Sequence, residues 1–326
     1  FFKQKTAYEI RPRDWSSDVC SSDLTSCDVH FSVDGDSLYT VEDTRIQRIN
    51  LVAGDVLSKR IRKKEYMILA QSLSVVPVKR GVLFQTNRGS LELWNSELSV
   101  CMKRWTVFPI HDVVPLSEER VALKTRNKFD DRWEVTILDT TSEQIVLKIA
   151  NFDGFFLACN NKWEVLTTTD YMSLQLWRKN QVLWKTSVQE HLLSSHKRVL
   201  FSPSGENVVT YGRAGSYVLD AVSGKVIRQL ENMAVANIKF ISNEDCTVGL
   251  NDLIGLCLRL YNVKSGDLLS EIVEERLFQS LAVCPRKRLV AISFRHSEDH
   301  FEIIQAKLPG DKEKTNIERS VETKFI

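Results

Sequence analysis

Six histidines, His30, His111, His191, His196, His296 and His300, are the first residues to weigh for metal or acid–base chemistry. Only His296 and His300 are close together, with Ser297, Glu298 and Asp299 between them. A metal pair at that spacing normally rides on a helix, where the two side chains share a face. Here it falls between two strand-like runs, so it reads as a polar hairpin. Asp34-Gly35-Asp36 suggests calcium but lacks the other oxygen ligands at fixed spacing. Ser204-Gly205-Glu206 occupies the same place in a later unit, which marks an ordinary turn. Neither a Gly-x-Ser-x-Gly nucleophile elbow nor a Gly-x-x-x-x-Gly-Lys-Ser/Thr phosphate loop occurs. The sequence thus offers no catalytic residue, no metal site and no cofactor site. Aromatic anchors remain: Trp94, Trp105, Trp133, Trp163, Trp177 and Trp184. Four of them lie in strand-like runs, where core packing is the default for an indole. Trp163 follows the Asn160-Asn161-Lys162 turn. It is the candidate partner-contact residue, because exposed aromatics commonly anchor interfaces.

The elements that must position such residues belong to a chain of 326 residues, 43% apolar and 26% charged. That composition suits a globular domain with a sizeable core. The net charge of +2 supplies no global field for nucleic acid or an acidic membrane. The densest basic cluster, Lys59, Arg60, Arg62, Lys63 and Lys64, reads as a solvated loop. No apolar run approaches the ~20 residues of a membrane-spanning helix. The seven cysteines form no Cys-x-x-Cys pair and are irregularly spaced, and no Asn-x-Ser/Thr site occurs. Both features point to a reducing, cytoplasmic setting without a disulfide framework.

Residues 1–24 read FFKQKTAYEIRPRDWSSDVCSSDL and show neither strand nor helix periodicity. The string resembles a translated sequencing-library adapter. It is set aside as a disordered, non-biological segment. The upstream coding sequence is then expected to be missing before Thr25.

From Thr25 onward one phrase recurs: a strand ending in an apolar or aromatic anchor, then a polar residue, then a short turn. The anchors are Ile49, Trp94, Leu138, Trp177, Leu219, Tyr261 and Ile304, spaced 39 to 45 residues apart. That period matches a four-stranded propeller blade. The contents are strands. The fifth unit contains RVLFS, NVVTYG, SYVLDA and VIRQL, separated by turn residues, and the second and sixth repeat the arrangement. One small sheet cannot bury both its faces; stacking such sheets around an axis does so. The expected fold is therefore all-β, a seven-bladed β-propeller of four-stranded antiparallel blades over residues 25–312. Residues 313–326 form a tail or the closing strand.

LFSPSGENVVTYG (Leu200–Gly212), SYVLDAVSGKVIRQL (Ser216–Leu230), LELWN (Leu91–Asn95) and LQLWR (Leu174–Arg178) together resemble the WD-repeat family. The likeness covers residues 27–312. The family's Gly-His step is missing, and its Trp-Asp pair is replaced by Trp94-Asn95 and Trp177-Arg178. The His–Asp ladder of regular blades therefore has no counterpart in the sequence. In style the repeats are similar to propellers appended to NACHT or NB-ARC nucleotide-switch proteins of innate immunity. That resemblance implies a nucleotide-binding domain in cis, upstream of Thr25.

Two functions follow from different classes. The preferred one is a non-catalytic protein-interaction scaffold or sensor, part of a larger multidomain protein, with protein partners and no nucleic acid or membrane. The alternative is a propeller enzyme of hydrolase or quinoprotein type with an axial active site. The second needs ionisable groups converging from several blade-start strands. Those strands are almost wholly apolar in sequence, with Asp112 and the histidines at their edges.

Overall fold

The structure, a computed structural model, describes residues 28–42, 45–60, 75–85, 90–106, 110–126, 133–152, 155–160, 162, 164–168, 173–178, 181–187, 198–212, 215–231, 235–241, 246–251, 257–273, 278–294, 301–306 and 317–321. The adapter-like segment 1–24, the His296/His300 pair and Trp163 all lie outside the described residues.

Short apolar runs punctuated by turn residues become strands, and every sheet takes four consecutive ones. The first sheet is β1 (Asp28–Phe31), β2 (Ser37–Glu42), β3 (Arg45–Asn50) and β4 (Val56–Arg60). The second is β5 (Val75–Val78), β6 (Gly81–Gln85), β7 (Ser90–Trp94) and β8 (Cys101–Thr106). The third is β9 (Ile110–Pro115), β10 (Arg120–Arg126), β11 (Trp133–Asp139) and β12 (Gln144–Phe152). The fourth is β13 (Phe155–Cys159), β14 (Glu164–Thr168), β15 (Ser173–Arg178) and β16 (Gln181–Ser187). The fifth is β17 (Arg198–Phe201), β18 (Asn207–Gly212), β19 (Gly215–Asp220) and β20 (Val226–Glu231). The sixth is β21 (Val235–Phe240), β22 (Cys246–Asn251), β23 (Cys257–Asn262) and β24 (Leu268–Val273). The seventh is β25 (Phe278–Cys284), β26 (Leu289–Phe294), β27 (Phe301–Ala306) and β28 (Ile317–Val321). All pairings are antiparallel. β28 lies within residues 313–326 and forms the outer strand of the last sheet.

The core sits between the sheets. One apolar cluster joins Tyr39, Val41 and Ile46 of the first sheet to Val75, Val82 and Phe84 of the second. Equivalent clusters join each later sheet to the next. A further one joins Val29, Phe31 and Leu38 of the first sheet to Ala282, Cys284 and Ala291 of the seventh. Fully burying each such aliphatic side chain contributes roughly 1.5–3 kcal/mol, and neither sheet of a pair could achieve it alone. First strands meet first strands: β1 lies against β5 and β25, β13 against β17, and β21 against β25. They are therefore innermost, and fourth strands form the rim. The architecture is an all-β propeller with four-stranded antiparallel blades.

The recurring anchor has a specific backbone role. Trp94, Leu138, Trp177, Leu219 and Tyr261 each follow directly on a register shift between third and fourth strands. The extra residue falls on the outer strand, as Met102, Val146, Leu183, Ile227 and Leu269. A bulge of this kind sharpens the local twist and re-aims the unpaired side chain.

Candidate interaction face

The polar residue after each anchor builds the next feature. Asn50, Asn95, Asp139, Asp220 and Asn262 each turn a side-chain oxygen onto the backbone of the following turn. Asn50 Oδ1 accepts from Val52 and Ala53 N–H, and Asn262 Oδ1 from Lys264 and Ser265 N–H. Asn95 receives Ser99 and Val100, Asp139 receives Thr141 and Ser142, and Asp220 receives Ser223. These Asx turns satisfy backbone donors that a tight hairpin would otherwise leave to water. Hydrogen bonds from Ser142 and then Arg120 outweigh burial and lower the Asp139 carboxyl pKa. The Ser223 hydroxyl and N–H do the same for Asp220.

The first–second and third–fourth turns share one end of the sheets. Leu51 N–H bonds to Asp36 O, Thr140 N–H to Glu119 O, and Ala221 N–H to Glu206 O. Ion pairs run from sheet to sheet across this end. Arg48 reaches both Glu97 oxygens at 2.7 Å, and Lys79 reaches Glu119 at 2.8 Å. Arg80 and Lys103 converge on Glu143, and Lys287 pairs with Asp36. Arg286 of the seventh sheet pairs with Glu118 of the third. Those two sheets are not consecutive in sequence, and this pair links their first–second turns.

The Asp34-Gly35-Asp36 turn lies here too. Its acceptors are occupied by protein: Asp34 takes the Ser32 hydroxyl at 2.6 Å and Asp36 N–H at 2.9 Å. Burial opposes ionisation of Asp34, but these bonds together with Lys287 and Arg48 hold its pKa below the usual value.

The innermost strands carry little chemistry. His30 on β1 has its pKa pushed down to about 4, by burial first and Lys239 second. Lys239 on β21 is exposed, a charged residue on a blade-start strand that the sequence reading passed over. The side chains of His111 and Asp112 lie outside the described set. Among the described residues, no three His, Cys, Asp or Glu side chains are placed to hold a metal ion. Cys101, Cys159, Cys257 and Cys284 are free thiols, and burial pushes Cys159 up to about 12. No helix among the described residues is long and apolar enough to cross a membrane.

Five tryptophans lie on strands and pack into the inter-sheet clusters: Trp94, Trp105, Trp133, Trp177 and Trp184. Their polar edges are used as well. Trp177 Nε1–H donates to Thr167 Oγ1 at 2.9 Å. Trp184 on β16 crosses to the fifth sheet and donates to Ala221 O at 2.9 Å. Its ring lies over Gly224, where a methyl group would come within 2.6 Å of Cε3. Lys103 and Arg228 hold the corresponding place beside their bulges. Lys103 reaches Glu143 of the next sheet, and Arg228 lies along Gly266 of the next sheet. Asn161 and Trp163 lie outside the described residues; beside them, Asn160 Oδ1 accepts from Lys162 and Glu164 N–H.

Apolar side chains left in water gather at the rim. Ile145 and Val146, Val182 and Leu183, Val226 and Ile227, and Leu268 are all exposed near the starts of fourth strands. Val222, at a turn tip, is 83% exposed. Of these, Val146, Leu183 and Ile227 are bulge residues without a ladder partner, whereas the bulge residues Met102 and Leu269 pack against the inter-sheet core.

No protein-family model and no curated protein sequence matches the chain. Solved structures do. Hsv2 from Kluyveromyces marxianus superposes with a TM-score of 0.61 at 13% identity, covering 90% of this chain and 97% of that one. Hsv2p from Kluyveromyces lactis gives 0.59 at 11%, covering 90% and 97%. The β-propeller domain of Cps50 (Swd1) from Myceliophteria thermophila gives 0.61 at 11%, covering 83% and 93%. At such identities the likeness concerns the fold alone, and it agrees with the sheet topology: the chain is a β-propeller.

Proposed function

We propose that the seven sheets are blades of one closed ring, and that the ring is a non-catalytic protein-interaction scaffold. The cluster between the first and seventh sheets supports closure. The observation that carries the function is the display of bulged apolar side chains, Val146, Leu183 and Ile227, on a rim whose framework is internally hydrogen-bonded. Exposed apolar clusters of this kind mark protein contact surfaces. A partner carried on the same polypeptide, such as a nucleotide-binding domain, fits this reading as well as a separate protein does. Free buried thiols at Cys159 and Cys284 support a reducing compartment.

Photo-crosslinking residues placed singly at Val52, Val100, Val146, Leu183, Ile227 and Val273 test the function in cells. The scaffold reading expects discrete adducts at a subset of these positions. Absence of adducts at all six refutes it.

A further inference from the structure

The first and seventh sheets are not consecutive in the chain, so no single loop joins them. Their seam is held by packing, with β1 lying against both β25 and β26. Part of it is the apolar cluster of Val29, Phe31, Leu38 and Ile49 with Ala282, Cys284 and Ala291. Beside that cluster the seam turns polar. Side chains alternate along a strand, so Thr40 shares the face of Leu38, and Gln47 that of Ile49. On the other side, Ser280 shares the face of Ala282, and Ser293 that of Ala291. All four are buried, and all four face the same seam. Cross-strand pairing sets Thr40 beside Gln47 and Ser280 beside Ser293. Val29, the β1 partner of Thr40, donates its N–H to Ser280 Oγ at 3.4 Å. That bond sets the two polar pairs against each other.

The hydrogen bonding of this group is incomplete. Thr40 Oγ1 donates to Gln47 Oε1 at 3.3 Å. Gln47 Nε2 is buried without a partner, on a residue only 8% exposed. Turning the amide over would satisfy Nε2 with Thr40 and leave Oε1 unmatched instead, so one end lacks a partner in either orientation. A buried amide in that condition is costly, and proteins commonly meet the need with an internal water. Ser280 Oγ accepts from Val29 and keeps its own O–H to donate.

We propose that the seam between the first and seventh sheets binds one internal water molecule, held between the Gln47 amide and the Ser280 hydroxyl, with Ser293 as a third contact. An internal water typically takes about three polar partners, and these side chains supply them from both sheets. None of the four side chains carries a charge, which favours a neutral ligand. The water bridges two sheets that no single loop connects, and so takes part in closing the ring. The inference rests on the closed-ring reading.

A crystal structure of the whole chain, at a resolution that shows ordered water, tests the site directly, and a bromide-soaked crystal serves as comparison. The expected result is a fully occupied water within about 3 Å of the Gln47 amide and of Ser280 Oγ, with no bromide in its place. A dry seam, or a Gln47 amide bonded at both ends to protein, overturns the proposal. Bromide at the site overturns it too, since the ligand would then be an anion. If the first and seventh sheets do not pack together, the closed-ring reading falls as well; packed sheets around a dry seam sink the water alone. Magnetic relaxation dispersion of the solvent counts long-lived internal waters in solution. Gln47→Met and Ser280→Ala, each checked for folding by thermal denaturation, are expected to hold one such water fewer than the unsubstituted chain. Equal counts in all three proteins overturn the proposal.

Discussion

Replacing Gly224 with alanine tests whether the blades are locked to each other by the side chains named above. Gly224 has φ +69° in the third–fourth turn of the fifth sheet, and a new Cβ would lie 2.6, 2.8 and 2.9 Å from three ring atoms of Trp184. An alanine in the left-handed region costs about 1–2 kcal/mol by itself. Moving the indole adds the loss of its bond to Ala221 O, about 1 kcal/mol, and some of its apolar burial, about 1 kcal/mol more. The expected destabilisation is roughly 3 kcal/mol, or a midpoint about 6 °C lower for a domain of this size. Gly205 is the control. Its φ is +71°, but its nearest neighbours would be 3.7 to 3.9 Å from the added methyl, an ordinary contact. Gly205→Ala should therefore cost only the backbone part, about half as much. Thermal and urea denaturation of both variants, repeated in a Trp184→Ala background, completes a double-mutant cycle. With Trp184 gone, Gly224→Ala should fall to the cost of Gly205→Ala. Equal costs for the two glycines with Trp184 present, or an unchanged cost for Gly224→Ala with Trp184 removed, would refute the inter-blade lock.

Asp139 and Asp220 have depressed pKa values in the folded chain, so they contribute stability that is present above the usual carboxylate range and is lost as pH falls through their folded values. Asp139→Asn with Asp220→Asn should keep the turns, since asparagine already serves at Asn50, Asn95 and Asn262, and should flatten the acid limb of a stability–pH curve below about pH 4; an unchanged limb counts against the assignment. Cys159, with its thiol pushed up to about 12, should resist iodoacetamide at neutral pH until the protein unfolds, while the partly exposed Cys101 and Cys257 label first; peptide mapping by mass spectrometry reads the order, and early labelling of Cys159 would contradict its burial. The Arg286–Glu118 pair predicts that Arg286→Cys with Glu118→Cys will be joined within one chain by a short bis-maleimide; failure to crosslink would remove the contact between these two turns.

The strands were readable because each blade writes its apolar runs and turn residues locally. The run NVVTYG is β18 residue for residue, and CTVGLN is β22. What lay beyond reading was pairing across sequence distance. Nothing around Trp184 announces that its indole will cap Ala221 in the next sheet, because that contact depends on how two independent sheets pack. Arg286 and Glu118 are further apart still, and only the ring brings their turns together. The charged innermost residue Lys239 was overlooked for a related reason. Its run, NIKFIS, reads as half-buried strand, and period alone does not say which strand of a blade faces the axis.

Several residue pairs can end a third strand and cap the turn that follows it. Asparagine or aspartate still follows the anchor at Asn50, Asn95, Asp139, Asp220 and Asn262, and it caps its own turn. The anchor still follows a bulge, whether it is Trp94, Leu138, Leu219 or Tyr261. What the backbone needs at that point is a large apolar residue and a short side-chain acceptor, and several residue pairs meet that need. The bulge then places one unpaired apolar residue on five of the outer strands. The ladder does not require Leu183 or Ile227 to be apolar, since a bulged, solvent-facing residue would be as stable if polar. The exposed apolar residues at those positions are therefore the ones a bound partner would cover.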